Sequence, residues 1–140
     1  MSTGTTTLLA ATVLLLLAGE VFATGSRDAI LTELLAEAKK ENPTFSGFSA
    51  ARGGAFYHAK HTGGHAETPS CTTCHTADPR NWGQTRTGKA IKPVAVSRTP
   101  TRFTDPEKVA KWFRRNCRSV LGRDCTAAEK GDYITYLMSQ

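Results

Sequence analysis

The chain has 140 residues, with 18 Lys and Arg against 12 Asp and Glu and a formal net charge of +6. That length carries one domain rather than two, and the basic residues are scattered without interleaved aromatics, which gives no nucleic-acid footprint. With 12 glycines and 8% aromatics, so small a domain gains little from its own core, and a large apolar cofactor would supply much of the missing burial.

Leu8 to Leu17 is a short apolar run followed by Ala18-Gly19-Glu20 and Val21-Phe22-Ala23. It is too short to span a bilayer comfortably. Val21 and Ala23 fit a signal-peptidase site, so residues 1–23 read as a signal peptide and Thr24 as the first mature residue. Met1 to Thr7 contains no Lys or Arg, which keeps an uncleaved anchor open as the alternative. The expected compartment is the periplasm. Cleavage leaves 117 residues, 24–140, as one domain with 18 basic and 11 acidic residues, a charge of +7. A positive balance of this size suits docking to an acidic partner or an ordinary solvated surface.

The first helix is expected over about Asp28 to Glu41, where Ile30, Leu31, Leu34, Leu35 and Ala38 recur at three- and four-residue spacing and Asn42-Pro43 stops it. A second runs from Ser49, as N-cap, to about Lys60, with Gly53, Phe56 and Tyr57 as packing positions. Gly63-Gly64 breaks the chain after it. Asp78 to Thr104, with Pro79, Pro93 and Pro100, shows little periodicity, and such long irregular segments in small domains are usually ordered by a ligand or function. Thr104-Asp105-Pro106-Glu107 reads as a capping box opening a helix to about Asn116. Thr126-Ala127-Ala128-Glu129 opens the last helix, which buries Tyr133, Ile134 and Leu137. The architecture is all-α, with helices and long loops wrapped around something.

Four cysteines stand at 71, 74, 117 and 125. Cys71-Thr72-Thr73-Cys74-His75 has the spacing for two thioether bonds to haem vinyl groups, with His75 beside them to ligate the iron. A thioredoxin-like dithiol needs a βαβ context that is not visible. A zinc site from all four cysteines has an unusual second spacing, and a simple Cys71–Cys74 disulfide leaves His75 unexplained. The motif therefore predicts one covalently attached haem c. His75 is the proximal ligand, with its other ring nitrogen expected on a backbone carbonyl.

The sixth iron position is commonly Met or a second His in electron carriers. Met138, on the last helix, is the only methionine left after cleavage, and Asp78 to Asp124 has none. His58, His61 and His65 precede the attachment site and stay open as ligands or as exposed loop residues. Asn116 is the more pointed candidate. Val109, Trp112, Phe113 and Asn116 fall on one helical face, so Asn116 is either a distal ligand or a helix cap. Cys117 and Cys125, the remaining pair in an oxidising compartment, predict a disulfide. Closing that nine-residue loop would stabilise by about 2–3 kcal/mol. Arg86, Lys89 and Arg102 are candidate propionate contacts or solvated surface, and Trp82 either packs on a haem edge or joins the core.

Cys71-Thr72-Thr73-Cys74-His75, Gly83-Gln84-Thr85-Arg86-Thr87-Gly88-Lys89, Arg102-Phe103-Thr104-Asp105, Arg115-Asn116-Cys117 and Gly122-Arg123-Asp124-Cys125 together resemble the sphaeroides haem protein family, small oxygen-binding class I cytochromes c. The resemblance runs from about Gly53 to Gln140. It implies a class I cytochrome c fold, here with an extra N-terminal helix. It also implies Asn116 as an asparagine haem ligand, a Cys117–Cys125 disulfide beside it, and release of Asn116 on reduction to admit oxygen, nitric oxide or carbon monoxide. Trp112 and Phe113 would then line the distal pocket. A dihaem cytochrome c and membrane cytochromes b are the implied redox partners of a monomer. His58, His61 and His65 are outside the family pattern.

The expected function is thus an exported monohaem cytochrome c that accepts electrons and binds a diatomic ligand once Asn116 is released. A simple electron carrier ligated by His58, His61 or His65 is the alternative. Open coordination would also permit turnover of peroxide, oxygen or nitric oxide, but no acid–base pair demands an enzyme.

Overall fold

The computed structural model describes residues 18–140, with side chains from Ser26 onward. The apolar run Leu8–Leu17 lies outside the described residues, and the expected cleavage point after Ala23 falls where only backbone is described. Helix α1 spans Ala18–Glu41, beginning upstream of the Asp28 start expected from periodicity. Its buried residues Ile30, Leu34 and Ala38 recur every fourth position, as a helix needs to present one apolar stripe. Pro43 cannot continue it, and the Asn42 side chain accepts from the Thr44 amide at 3.1 Å to turn the chain. Among the described residues, no helix is long and apolar enough to cross a membrane.

Helix α2, Ala50–His58, starts on Ser49, whose hydroxyl oxygen accepts from the Arg52 amide at 3.3 Å. Helix α3, Thr72–His75, is a single turn, too short for any periodic signal to reveal. The irregular stretch after it holds a small hairpin, β1 Gly83–Gln84 and β2 Ala90–Ile91, antiparallel with Gly83 opposite Ile91.

Helix α4 spans Pro106–Leu121. Its N-cap is Asp105, which accepts from the Lys108 amide at 3.0 Å, rather than the Thr104 expected from the capping-box spacing. Nor does it stop near Asn116. Val120 and Leu121 extend its apolar side, and Gly122, with φ 71° in the left-handed region, ends it. Helix α5, Ala127–Met138, carries the reciprocal Thr126–Glu129 capping box.

The helices meet on α5. Tyr57, Ile134 and Leu137 are fully buried there, and α1 and α2 both lie against α5. The α2–α5 crossing is close because Gly53 has no side chain: a Cβ at that position would run into the Asp132 carbonyl and come within 2.8 Å of the Tyr136 Cβ. Asp132, 6% exposed, locks the crossing by accepting from the Ser49 amide at 2.7 Å and from Arg52 Nε at 2.7 Å. The loop after α2 returns to the far end of α4. The His65 amide donates to the Ser119 carbonyl at 2.8 Å, and Thr68 Oγ1 donates to the same oxygen at 3.2 Å. A Cβ on Gly64 would collide with that carbonyl, so the loop can reach the helix only as glycine.

Candidate functional site

The attachment turn is held at both ends by one residue of α2. At its start, the Thr72 amide donates to Ser70 Oγ at 3.3 Å, and that hydroxyl donates to the Tyr57 carbonyl at 3.2 Å. At its end, Tyr57 Oη donates to the carbonyls of His75 at 3.1 Å and Thr76 at 2.7 Å. These are the orphan acceptors that every helix C-terminus leaves. Thr76, with φ 65°, stops the turn. On its other side β1 packs directly on the Cys74 carbonyl, which Gly83 allows by having no Cβ.

Cys71 and Cys74 are unpaired and partly buried. Burial, and to a lesser degree the neighbouring Cys74, pushes the Cys71 thiol up to about 11. Burial also pushes the His75 imidazole down to about 4, with the Arg102 charge adding to it. A neutral imidazole keeps a lone pair free for a metal. Among the described residues no hydrogen bond holds either ring nitrogen of His75, so the backbone carbonyl expected there is not found. Two unpaired thiols on one helical turn, with a neutral imidazole on the next residue, form a donor set that fits a c-type haem.

Arg102 is the one expected propionate cation that is partly buried near His75. It donates from Nε to the Pro93 carbonyl at 3.1 Å and from Nη2 to the Lys92 carbonyl at 2.6 Å. Its own carbonyl accepts from Arg27 Nε at 3.1 Å, and Arg27 Nη2 donates to the Pro100 carbonyl at 2.6 Å. Arg27, 5% exposed, was not singled out from the sequence, because one basic residue on an amphipathic helix normally faces water. Tyr57 was expected only as packing, and nothing in its spacing announces its hydroxyl's role. Arg86 and Lys89 are exposed on the hairpin.

On α4 the expected continuous face divides in two. Phe113 is buried at 8% exposure with its ring 5.5 Å from Tyr133, and Cys117 is buried beside it. Trp112 is 49% exposed, and Asn116, one turn further, is exposed as well. Val109 is partly buried against the core. The Arg115 guanidinium lies 5.2 Å from the Trp112 ring. The sulfur atoms of Cys117 and Cys125 lie within bonding distance, with Cα atoms 5.6 Å apart. That pairing leaves no four-cysteine cluster, so the zinc arrangement considered from sequence is not assembled.

The other ligand candidates are placed as follows. His58 Nε2 lies 3.2 Å from Tyr136 Oη, and His61 Nε2 lies 3.2 Å from the Phe56 carbonyl. His65 is exposed. Met138 is 37% exposed on the last helix. Trp82 does not join the core: it is 61% exposed and, with Thr73, Cys74, Thr76, Gln84 and Arg86, lines a cavity of about 480 Å³ against the attachment turn.

Residues 43–137 match the model of a family described as a domain of unknown function, DUF1924. The cytochrome c-type protein SHP of Cereibacter sphaeroides is 57% identical over 91 residues, 65% of this chain and 70% of that protein. Cytochrome c'' of Methylophilus methylotrophus is 36% identical over 104 residues, 74% of this chain and 72% of that one. Among solved structures, oxidised SHP, described as an oxygen-binding cytochrome c, aligns with a TM-score of 0.75 and 47% identity, covering 81% of this chain and 96% of that one. Oxidised cytochrome c'' aligns with a TM-score of 0.71 and 32% identity, covering 83% and 95%. The all-α cytochrome c fold expected from the sequence is the fold found, and the chain belongs to the sphaeroides haem protein family of c-type cytochromes.

Proposed function

We propose that the chain is an exported, periplasmic monohaem cytochrome c that accepts an electron and then binds a diatomic ligand at a position Asn116 vacates. Cys71 and Cys74 hold the haem covalently and His75 is the proximal ligand. A haem held by these residues would supply one-electron chemistry and an iron able to exchange a ligand. Asn116 is the releasable distal ligand. The observation that carries this reading is the divided face of α4: Phe113 and Cys117 enter the core, while Trp112 and Asn116 stay uncovered by the chain's own side chains.

An amide oxygen or nitrogen is a weak, hard donor that suits ferric iron better than ferrous, which prefers softer or π-accepting partners. Reduction of a bound haem would therefore loosen Asn116. The Trp112 ring keeps the vacated position partly apolar, and the freed amide can donate a hydrogen bond to bound oxygen. A Cys117–Cys125 disulfide and the 63–68 loop fix the helix end that carries Asn116, so its release is a side-chain movement rather than a helix movement. Arg102 is the cation best placed for a propionate. By family resemblance, a dihaem cytochrome c and membrane cytochromes b act as redox partners.

Replacing Asn116 with Ala tests the assignment on the haem-loaded protein. The ferric optical spectrum is expected to lose its six-coordinate form, while the ferrous spectrum changes little. A ferric spectrum untouched by the substitution would return the sixth position to His58, His61 or His65 and reduce the protein to a simple carrier.

A further inference from the structure

The whole formal charge of the chain is concentrated in one segment. Between Pro79 and Thr104 there are six basic residues (Arg80, Arg86, Lys89, Lys92, Arg98, Arg102) and no acidic one, so the remaining 12 basic and 12 acidic residues balance. Outside the segment, cations are repeatedly neutralised: Arg118 by Asp124 at 2.8 Å, Arg123 by Glu129 at 2.7 Å and Lys108 by Asp105 at 2.9 Å. Inside it only Arg80 is paired, with Asp78 at 2.9 Å. Among the described residues, Arg86, Lys89, Lys92 and Arg98 are exposed and in no ion pair.

These cations are displayed on a rigid support. At the hairpin tip the Thr85 amide donates to the Lys89 carbonyl at 2.8 Å, the Lys89 amide to Thr85 Oγ1 at 3.0 Å, and Gln84 Nε2 to the Gly88 carbonyl at 3.0 Å. At its base Arg102 holds the Lys92 carbonyl. The hairpin packs through Gly83 on Cys74 itself. Trp82, the most exposed large apolar residue described, shares with Arg86 and Cys74 the wall of the 480 Å³ cavity. An exposed aromatic beside an unpaired arginine, on a segment that carries the chain's excess positive charge, is the composition of a protein-docking face.

We infer that Trp82 and the Arg86–Lys89–Lys92 hairpin form the docking face for an acidic redox protein that delivers the reducing electron. This rests on the function proposed above. One electron passes from the donor's reduced cofactor, which is oxidised, to this chain's ferric site, and no bond forms or breaks between the proteins. Three unpaired cations, Arg86, Lys89 and Lys92, beside Thr85, Thr87 and Gln84 on a hairpin lack the apolar helical face that a membrane surface would need.

The test is stopped-flow reduction of the ferric haem-loaded protein. The donors are hydroquinone flavodoxin, an acidic flavoprotein, and reduced lumiflavin, a small neutral reductant. The variant R86Q/K89Q/K92Q should lower the low-salt bimolecular rate with flavodoxin about tenfold or more. That difference should close at about 1 M NaCl, where the screening length is about 3 Å. W82A should slow the flavodoxin reaction at both salt levels. The isocharged control K39Q/K40Q/K60Q should stay within about twofold of wild type, and all variants should react alike with lumiflavin. Equal slowing by the two triple variants, slowing by neither, or a parallel loss with lumiflavin would overturn the proposal. So would loss of binding to phosphatidylglycerol vesicles with an unchanged flavodoxin rate, which would assign the face to lipid. Failure of the Asn116 reading appears instead in ligand binding after reduction, and leaves these rates as they are.

Discussion

Gly53 and Gly54 are adjacent in α2, yet they should respond in opposite ways to the same added methyl group. Alanine gains about 1 kcal/mol over glycine in a helix interior. At Gly53 the new Cβ would run into the backbone carbonyl of Asp132 and sit 2.8 Å from the Tyr136 Cβ. Neither can move without shifting α2 off α5, which disturbs the Asp132 contacts to Ser49 and Arg52. Overpacking of this kind costs about 1–3 kcal/mol and more when backbone must yield, so Gly53→Ala should lose about 2 kcal/mol or more net. At Gly54 the nearest atoms are the Tyr136 ring carbons at 3.2 Å, on a side chain that can tilt. Gly54→Ala should therefore be neutral or slightly stabilising. Urea unfolding of the haem-loaded variants, followed by far-ultraviolet circular dichroism and haem absorbance, measures the difference. Because Tyr57 on the same helix holds the attachment turn, Gly53→Ala should also perturb the haem spectrum before global unfolding. Equal losses at the two positions would refute the close crossing as the cause.

Replacing Cys117 and Cys125 together with Ser should cost about 2–3 kcal/mol by freeing the unfolded loop, seen as an earlier urea midpoint; an unchanged midpoint would show that the pair carries no bond. Tyr57→Phe should cost about 1–2 kcal/mol by leaving the His75 and Thr76 carbonyls without their donor, and thermal unfolding unaffected by it would contradict the two-ended hold on α3. The Glu129 carboxyl is held below its ordinary value by the hydrogen bond from Arg123, opposed by burial and assisted by the Thr126 amide. Its stabilisation is thus complete above the ordinary Glu range and is lost as pH falls through the lowered value. Wild type should lose stability more steeply than Glu129→Gln below about pH 4.3, and superimposable pH profiles would rule that coupling out.

The long periodic elements were legible in the sequence. Ile30, Leu34 and Ala38 marked α1, and Thr126 with Glu129 marked the start of α5, because spacing and capping chemistry are local. The end of α4 was misplaced for a physical reason: Asn116 beside Cys117 resembles a stop, but the αL residue that ends the helix is Gly122, six positions beyond Asn116. Asp105 rather than Thr104 caps it because the neighbouring Pro106 takes the first helical position, where its missing amide costs nothing. The single turn α3 and the two-residue strands are shorter than any period, and only their partners, Tyr57 and Gly83, define them. In the site, the motif residues could be read from spacing. The split of the α4 face into buried Phe113 and exposed Trp112 and Asn116 could not, since periodicity gives a stripe but not its neighbours. The bracing of Arg102 by Arg27, 75 positions away, is likewise a tertiary fact.

In the function proposed above, Asn116 holds the oxidised iron and lets go of the reduced one. The most direct measurement is the optical spectrum of the wild-type, haem-loaded protein in both oxidation states, with carbon monoxide added to each. The expected result is a six-coordinate ferric form that ignores carbon monoxide and a high-spin ferrous form that binds it readily. A ferrous form that stays low-spin and leaves carbon monoxide unbound would contradict it.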